Sequence, residues 1–266
     1  MKLPDVTKVS DIMRKVAETE IRPRFKNLKK NEIRHKEGGG IVTIADIESE
    51  RILAKELTNL IPGSLFVGEE VVEENPEVYD FLTGEEPVWI VDPIDGTSNF
   101  KNGCPDYVVL VAFAIHGIVR FGAILQPETQ ELLIAEEGSG TWTNNNRLVF
   151  ENSYEKKTQE LKGSLGRALK EKCGIKKCFS SIGRAGSCGI EYKRIAQGEL
   201  DFSFYRSLKP WDHAAGDLII REAGGKVAYL NNTLYLFKRS GFSGLLCAPS
   251  ENCWQQVAKI ISKFLN

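Results

Sequence analysis

Two aspartates at the end of an apolar run are the side chains in this sequence most suited to chemistry. Residues 88–91 are apolar and lead into Asp92, Pro93 and Asp95. The run predicts a buried strand, and aspartate and proline favour a tight turn after it. A helix is expected to begin at Gly96-Thr97. Two carboxylates at a strand end suit a hard divalent cation, and the free N–H groups of a helix start suit a phosphate.

Three other segments carry candidate groups for the same site. An Asp-Pro-x-Asp-Gly string alone also occurs in plain turns, so it decides little by itself. Here it is accompanied by Val-Thr-Ile-Ala-Asp (42–46), Phe-Val-Gly-Glu-Glu (66–70) and Pro-Trp-Asp-His-Ala-Ala-Gly (210–216). No cluster of histidines or cysteines competes with these oxygen ligands, which favours Mg²⁺ over zinc.

Composition narrows the class of protein. The chain has 266 residues, 42% of them hydrophobic, which is enough for one large domain or two closely packed ones. A net charge of −1 gives no electrostatic argument for binding nucleic acid or a membrane surface. The chain shows no run of transmembrane length and no apolar signal core at its start, so we expect a soluble cytoplasmic protein. The six cysteines form no Cys-x-x-Cys pair, and reduced, mostly buried thiols are expected.

Hydrophobic periodicity predicts helices on a largely antiparallel sheet in the first half of the chain. Helices are expected over residues 5–27 and 47–61, with Asp46 capping the second, and strands over 64–67, 107–115, 118–125 and 132–135. The acidic stretch 71–86 is expected to be a surface helix and loop. The glycines at 38–40 are either a mobile flap or a hairpin turn.

The second half alternates strands and helices, which is typical of an α/β layer structure. Strands are expected near 178–182 and over 200–205, 226–230 and 244–248, and helices over 187–197, 212–223 and 250–264. We place a boundary in the polar stretch after residue 150. Residues 1–150 would form an α+β subdomain with most metal ligands, and residues 151–266 an α/β subdomain with the distal Asp and the specificity segment.

The motifs together resemble the inositol monophosphatase family of metal-dependent, lithium-sensitive phosphatases. The family's three segments occur in order as Gly-Glu-Glu (68–70), Asp-Pro-Ile-Asp-Gly-Thr (92–97) and Trp-Asp-His-Ala-Ala-Gly (211–216). The resemblance runs from about residue 36 to the C-terminus. It implies a layered αβαβα sandwich, commonly a homodimer, that binds a small phosphorylated substrate.

The resemblance also implies a set of ligands for two or three Mg²⁺ ions. Glu69 and Asp92 would hold the first ion together with the backbone carbonyl of Ile94. Asp92, Asp95 and Asp212 would hold the second, and Glu69 would also help to bind a weaker third. All of these ligands are oxygen atoms, as Mg²⁺ prefers.

Catalytic and substrate-binding roles follow from the same resemblance. Thr97 would hydrogen-bond Asp46, and this pair, together with Glu69, would activate the attacking water. The backbone amides of Gly96 and Thr97 would bind the phosphate, beside Asp95, and Lys36 would add positive charge. Substrate hydroxyls would be approached by the turn Gly186, Ser187 and Cys188. We expect no catalytic role for His213 and no specific role for Glu70.

One position departs from the family pattern. Inositol-preferring members carry a Glu seven residues before the distal Asp, where this chain has Tyr205 followed by Arg206. Strand alternation would allow only one of the two side chains to reach the pocket. Arg206 there would favour a second anionic group on the substrate, and Tyr205 would favour stacking or a hydroxyl contact.

The leading hypothesis is therefore Mg²⁺-dependent hydrolysis of a small phosphate monoester, either inositol-phosphate-like or a sugar phosphate. Fructose-1,6-bisphosphatase, histidinol-phosphatase and 3′(2′),5′-bisphosphate nucleotidase remain alternatives within the family. A regulatory or binding protein on the same fold is the more distant alternative.

Overall fold

The computed structural model describes residues 3–37, 39–144, 146–150, 156–237 and 244–265. These residues form five layers, helix–sheet–helix–sheet–helix, and this αβαβα sandwich confirms the predicted fold class. No helix in the described part of the chain is both long and apolar enough to cross a membrane.

The described residues form α-helices and β-strands. The α-helices are α1 (Val6–Val16), α2 (Ile44–Leu60), α3 (Glu69–Glu74), α4 (Thr97–Lys101), α5 (Arg167–Lys170), α6 (Cys188–Ala196), α7 (Pro210–Glu222) and α8 (Glu251–Leu265). The first nine strands are β1 (Ile33–His35), β2 (Ile41–Thr43), β3 (Leu65–Gly68), β4 (Val88–Asp95), β5 (Val108–Ile115), β6 (Ile118–Gln126), β7 (Glu131–Glu136), β8 (Gly140–Thr143) and β9 (Asn146–Leu148). The remaining strands are β10 (Lys162–Leu165), β11 (Ser181–Gly183), β12 (Phe202–Tyr205), β13 (Lys226–Tyr229) and β14 (Leu245–Ala248).

The first helical layer covers one face of the large sheet. α1 and α2 bury Met13 and Leu57 against Trp89 and Phe113 of the sheet. The helix expected over 5–27 is shorter, because α1 passes into a π-helical turn and then into a 3₁₀ turn that contains Pro23. A proline ring lacks the N–H that would continue an α-helix and clashes with the preceding turn.

The large sheet has seven strands in the order β3-β4-β5-β6-β7-β8-β9. β3 is parallel to β4, and the other neighbours are antiparallel, as predicted. β5 and β6 form the expected hairpin, with His116 and Gly117 at positive φ in the turn.

The second strand of this sheet, β4, is buried along its whole length, and it does not end at Asp92 as expected. It continues through Asp95, with a break in the pairing register between the two aspartates. Pro93 lies in this break. Because a proline has no N–H to donate to a neighbouring strand, the pairing is interrupted there, but the strand does not end in a turn. The two carboxylates are thus fixed by a strand that pairs with a neighbour on each side.

The smaller sheet has five strands in the order β11-β10-β12-β14-β13. β10 is parallel to both β11 and β12, and β14 is antiparallel to its two neighbours. β10 was not predicted, since its sequence Lys-Gly-Ser-Leu has little strand character. A Cβ at position 163 would overlap the ring of Phe202 on the neighbouring strand, so the packing of these strands requires a glycine there.

The middle layer, α6 and α7, lies between the two sheets. One apolar core joins Leu110 and Ile124 of the large sheet to Ile190 and Leu218 of these helices and to Leu245 of the small sheet. At Gly122 a Cβ would lie only 2.9 Å from the backbone oxygen of Ala215, so β6 and α7 pack in direct backbone contact. α8 covers the outer face of the small sheet. The division after residue 150 stays a prediction.

Candidate active site

Three carboxylates from two elements meet at one end of the middle layer. β4 supplies Asp92 and Asp95, and the first turn of α7 supplies Asp212. One oxygen from each carboxylate lies within 4.8 Å of the others. Asp92 also accepts a hydrogen bond from the backbone N–H of Ile94 at 2.9 Å, which fixes its orientation. This arrangement could hold a metal ion.

The N-terminus of α6 holds Asp95. The carboxylate of Asp95 accepts hydrogen bonds from Ser187 Oγ at 2.7 Å, from the N–H of Cys188 at 3.2 Å and from the N–H of Gly189 at 2.6 Å. Ser187 also caps α6, because its Oγ accepts the N–H of Ile190 at 3.1 Å. The turn 186–188 therefore contacts Asp95 directly, and its predicted contact with substrate hydroxyls stays a prediction.

Burial and mutual repulsion disfavour the charged forms of the three carboxylates. Burial, and then the charges of Glu69, Asp95 and Asp212, raise the pKa of Asp92 well above its usual value. The pKa of Asp212 is raised well above its usual value by burial and by Asp95 and Glu69. Burial raises the pKa of Asp95 to about 6, although its three hydrogen bonds oppose the shift. A bound divalent cation would offset this repulsion, so the residues fit such an ion.

A second pair of side chains lies beside this cluster. Thr97 Oγ1 lies 3.1 Å from Asp46 Oδ1 and 3.1 Å from the carbonyl oxygen of Ile94. A hydroxyl has one proton, so it donates to one of these oxygens at a time. The contact that the sequence predicts between Asp46 and Thr97 is thus present.

Asp46 does not cap its helix as expected. α2 begins at Ile44, and Thr43 is the N-cap. Asp46 lies in the first turn, where its Oδ2 accepts the N–H of Thr43 at 2.8 Å and the Thr43 hydroxyl at 2.5 Å. This capping box directs its other oxygen, Oδ1, to Thr97. Burial raises the pKa of Asp46 to about 6, against the effect of these hydrogen bonds.

Lys36 bridges two neighbouring carboxylates. It lies in the connection between β1 and β2, and its Nζ lies 2.7 Å from Glu69 and 2.9 Å from Glu70. Burial alone would lower the pKa of Lys36, but the two carboxylates outweigh it and raise the pKa. Glu70, for which the sequence indicated no role, is buried, and burial followed by the charge of Glu69 raises its pKa to about 8. Gly38, in the segment predicted to be a flap or a turn, lies outside the described residues.

Sequence reasoning missed Glu50 of α2. Its carboxylate accepts the backbone N–H groups of Glu70 at 3.0 Å and Val71 at 2.7 Å, which are free donors in the first turn of α3. Burial raises the pKa of Glu50 to about 7, although these hydrogen bonds favour the charged form. Glu50 lies four residues after Asp46 on the same helix, and this spacing was the one signal that placed both on one face.

His213 is buried beneath the carboxylates, and both of its ring nitrogens are engaged. Nδ1 lies 3.0 Å from the Tyr192 hydroxyl and Nε2 lies 3.0 Å from the carbonyl oxygen of Ser207. Burial lowers the pKa of His213 to about 4, so the ring is neutral near pH 7. Cys188 and Asp212 approach His213 as a second possible metal-binding group, but the bonds to both ring nitrogens favour a structural role for the histidine.

Tyr205 and Arg206 both line one cavity, contrary to the expectation that only one would reach it. The cavity has a volume of about 360 Å³ and also contains Asp212 in its wall. Strand alternation does not apply to the pair, because β12 ends at Tyr205. The Tyr205 hydroxyl is buried without a hydrogen-bond partner among the described residues, and its ring packs against Tyr192 and His213.

Comparisons with known proteins agree with this geometry. The sequence model of the inositol monophosphatase family matches residues 3–263. A fructose-1,6-bisphosphatase/inositol-1-monophosphatase of Thermotoga maritima is 34% identical over 192 residues, which are 70% of this chain and 70% of the relative. Nus factor SuhB of Vibrio cholerae is 30% identical over 216 residues, 76% of this chain and 77% of the relative. The solved structure of a Thermotoga maritima IMPase matches with a TM-score of 0.81 at 26% identity, with 96% of each chain covered.

The fold and the family match together define a phosphoric monoester hydrolase. The chain belongs to the inositol monophosphatase family.

Proposed function

We propose that the protein hydrolyses a small phosphate monoester in a Mg²⁺-dependent reaction with water as the nucleophile. The observation that carries the proposal is the convergence of Asp92, Asp95 and Asp212 beside the Asp46–Thr97 pair. Uncatalysed phosphate-monoester hydrolysis is extremely slow, and positioning with charge neutralisation is the main means by which proteins accelerate such reactions.

The chain offers oxygen ligands for two or three Mg²⁺ ions. We assign Glu69, Asp92 and the carbonyl of Ile94 to the first ion and Asp92, Asp95 and Asp212 to the second, with Glu69 also near a third. When bound, Mg²⁺ neutralises phosphate charge and lowers the pKa of a coordinated water. Lys36 adds a further positive charge next to Glu69.

Asp46 and Thr97 orient the attacking water. If the Thr97 hydroxyl donates its proton to Asp46, its lone pairs face outward and accept a hydrogen bond from water. Thr43 holds Asp46 in place, so the direction of the Thr97 hydroxyl is set by the first turn of α2. The N–H groups of Gly96 and Thr97, at the start of α4, bind the phosphate oxygens.

A phosphate-release screen tests the proposal. The panel contains inositol 1-phosphate, fructose 1,6-bisphosphate, histidinol phosphate and 3′-phosphoadenosine 5′-phosphate, each with Mg²⁺, with EDTA, and with Mg²⁺ plus Li⁺. We expect turnover with Mg²⁺, loss of turnover in EDTA and inhibition by Li⁺. Full activity after verified metal removal would refute the metal-dependent mechanism.

The homodimer and the cytoplasmic location stay predictions.

A second role is favoured by one observation, the similarity to a protein named Nus factor SuhB. We propose that such a role, binding a partner protein, would coexist with hydrolysis, because the carboxylates and the Asp46–Thr97 contact are intact. A folded protein that hydrolyses no member of the panel with Mg²⁺ would favour the binding role alone.

A further inference from the structure

Two helices of the middle layer determine where two carboxylates of the cluster lie. The N-terminus of α6 binds Asp95 through three donors, and α7 carries Asp212 in its first turn. The helices pack closely, because a Cβ on Gly216 of α7 would lie 2.2 Å from the ring of Tyr192 of α6. The separation of the two carboxylates therefore depends on how α7 is placed against α6.

A chain of two hydrogen bonds joins these helices next to Asp212. The carbonyl oxygen of Ser207 can only accept, so Nε2 of His213, 3.0 Å away, carries the ring proton. Nδ1 of the neutral ring is then an acceptor, and the Tyr192 hydroxyl, at 3.0 Å, donates to it. The chain thus runs in one direction, from Tyr192 of α6 through His213 of α7 to the segment before α7.

Aromatic packing holds the ring of His213 in this orientation. The ring centroid of Tyr205 lies 4.7 Å from that of His213 and 5.5 Å from that of Tyr192. His213 is fully buried. A rotated imidazole would leave a buried N–H without its acceptor, which costs about 1–3 kcal/mol. The imidazole is therefore fixed both by its hydrogen bonds and by the rings beside it.

His213 anchors the start of α7. Within the described residues, the side chain of the N-cap residue, Lys209, makes no hydrogen bond to the helix, and Pro210 at the first position has no N–H. The side chain of His213 bonds to the carbonyl of Ser207, which precedes the helix. Asp212 is the neighbouring residue in the chain, so a shift of this turn moves its carboxylate relative to the other two.

We propose that Tyr192 and His213 are positioning residues of the metal site, and that their hydrogen-bond chain to Ser207 holds Asp212 at the distance from Asp95 that a Mg²⁺ ion requires. The inference rests on the proposed function and adds to it two residues that act through Asp212. Residues that orient metal ligands typically contribute about 10–100-fold to metal affinity or activity. The chain therefore acts on the Mg²⁺ affinity of the protein.

Calorimetric titration with Mg²⁺ tests the proposal without turnover. Tyr192→Phe removes the donor and keeps the ring, and we expect it to weaken Mg²⁺ binding at least about fivefold. Thr141→Val is the matched control, because the buried Thr141 hydroxyl donates to the carbonyl of Ile219, further along α7. The control removes one buried hydrogen bond to the same helix, so it should lower the melting temperature and leave the Mg²⁺ affinity unchanged within about twofold.

A double variant shows whether the two residues act as one unit. His213→Phe keeps an aromatic ring and should weaken Mg²⁺ binding at least about fivefold. Adding Tyr192→Phe to it should change the affinity by less than about twofold further. In turnover assays the Mg²⁺ concentration for half-maximal activity should rise by similar factors, while kcat at saturating Mg²⁺ stays within about threefold of the wild type.

The outcomes separate the positioning role from the proposed hydrolysis. A Mg²⁺ affinity of Tyr192→Phe within about twofold of the wild type, with a melting temperature lowered as in Thr141→Val, would overturn the positioning role alone. This comparison stands even if His213→Phe does not fold. Losses that add up in the double variant would also overturn the chain. Absence of turnover in a wild type that binds Mg²⁺, with the variants weakened as expected, would refute the hydrolysis alone.

Discussion

Asp95 and Asp212 lie in the same carboxylate cluster, but their surroundings differ. Three donors at the start of α6 bond to Asp95, whereas burial and two nearby carboxylates act against the charge of Asp212. We expect Asp95→Asn and Asp212→Asn each to lower kcat by about a hundredfold or more, because each removes a proposed metal ligand.

The two variants should differ in stability in EDTA. Asp95→Asn turns an amide N–H₂ toward N–H donors and should cost about 1–3 kcal/mol. Asp212→Asn removes a repelling charge and should leave the melting temperature equal to or above that of the wild type. Thermal unfolding in EDTA makes the comparison, and a lower melting temperature for Asp212→Asn would contradict this account of the cluster.

The role of Thr97 in the reaction can be tested by removing its hydroxyl group alone. Its Oγ1 contacts Asp46 and the carbonyl of Ile94. Thr97→Val keeps the shape and removes the hydroxyl, so kcat should fall by about a hundredfold or more. Thr97→Ser retains the hydroxyl and should recover most of the activity. Equal kcat values for the two variants would show that the hydroxyl takes no part in the reaction.

At the level of elements, Glu50 joins α2 to α3, the helix that carries Glu69. Its carboxylate accepts two N–H groups from the first turn of α3. We expect Glu50→Ala to destabilise the fold by about 1–3 kcal/mol, because one buried and one partly buried N–H donor lose their acceptor. Glu50→Gln retains one acceptor oxygen and should cost less. Urea unfolding of the three proteins makes the measurement, and an Ala variant as stable as the wild type would contradict the capping role.

The contribution of Glu50 to the free energy of unfolding should change with pH in one direction. The pKa of Glu50 is raised from 4.5 to about 7 in the folded protein. A raised folded-state pKa means that the folded protein binds the proton more tightly. The contribution of Glu50 to stability is therefore fully present below pH 4.5 and is lost as the pH rises to about 7. The difference in unfolding free energy between wild type and Glu50→Gln should decrease by an amount on the order of 2 kcal/mol across this window. No change in the difference would refute the assignment.

At the level of the whole molecule, local patterns and motif order predicted different parts of the structure. Periodicity found the hairpin β5–β6 and the long helices α2, α7 and α8, since each buries a regular apolar face. Motif order found the residues of the cluster. It did not find Glu50, whose partner N–H groups are twenty and twenty-one residues away in sequence.

Two errors have the same origin. The expected end of the strand at Asp92 came from reading Asp-Pro as a turn, but sheet pairing resumes at Asp95 opposite Val108. The expected choice between Tyr205 and Arg206 assumed a strand through both residues, but β12 ends between them. In each case the local sequence favoured one extent for the strand, and pairing with a distant strand set another. A single sequence does not display that pairing.

The carboxylates of the whole site link metal binding, pH and stability. In the metal-free protein the pKa values of Asp46 and Asp95 are raised to about 6, and those of Asp92 and Asp212 are raised well above their usual range. All four shifts have the same sign, so the folded protein gains stability from these groups at low pH and loses it as the pH rises from about 4 through 6 and beyond. Mg²⁺ binds the deprotonated carboxylates and should restore the stability that is lost at higher pH. The rise in melting temperature on exchanging EDTA for Mg²⁺ should therefore be small near pH 5 and increase toward pH 8, and it should be reduced at every pH in Asp212→Asn. A rise that is independent of pH, or equal in this variant and the wild type, would show that Mg²⁺ acts elsewhere on the molecule.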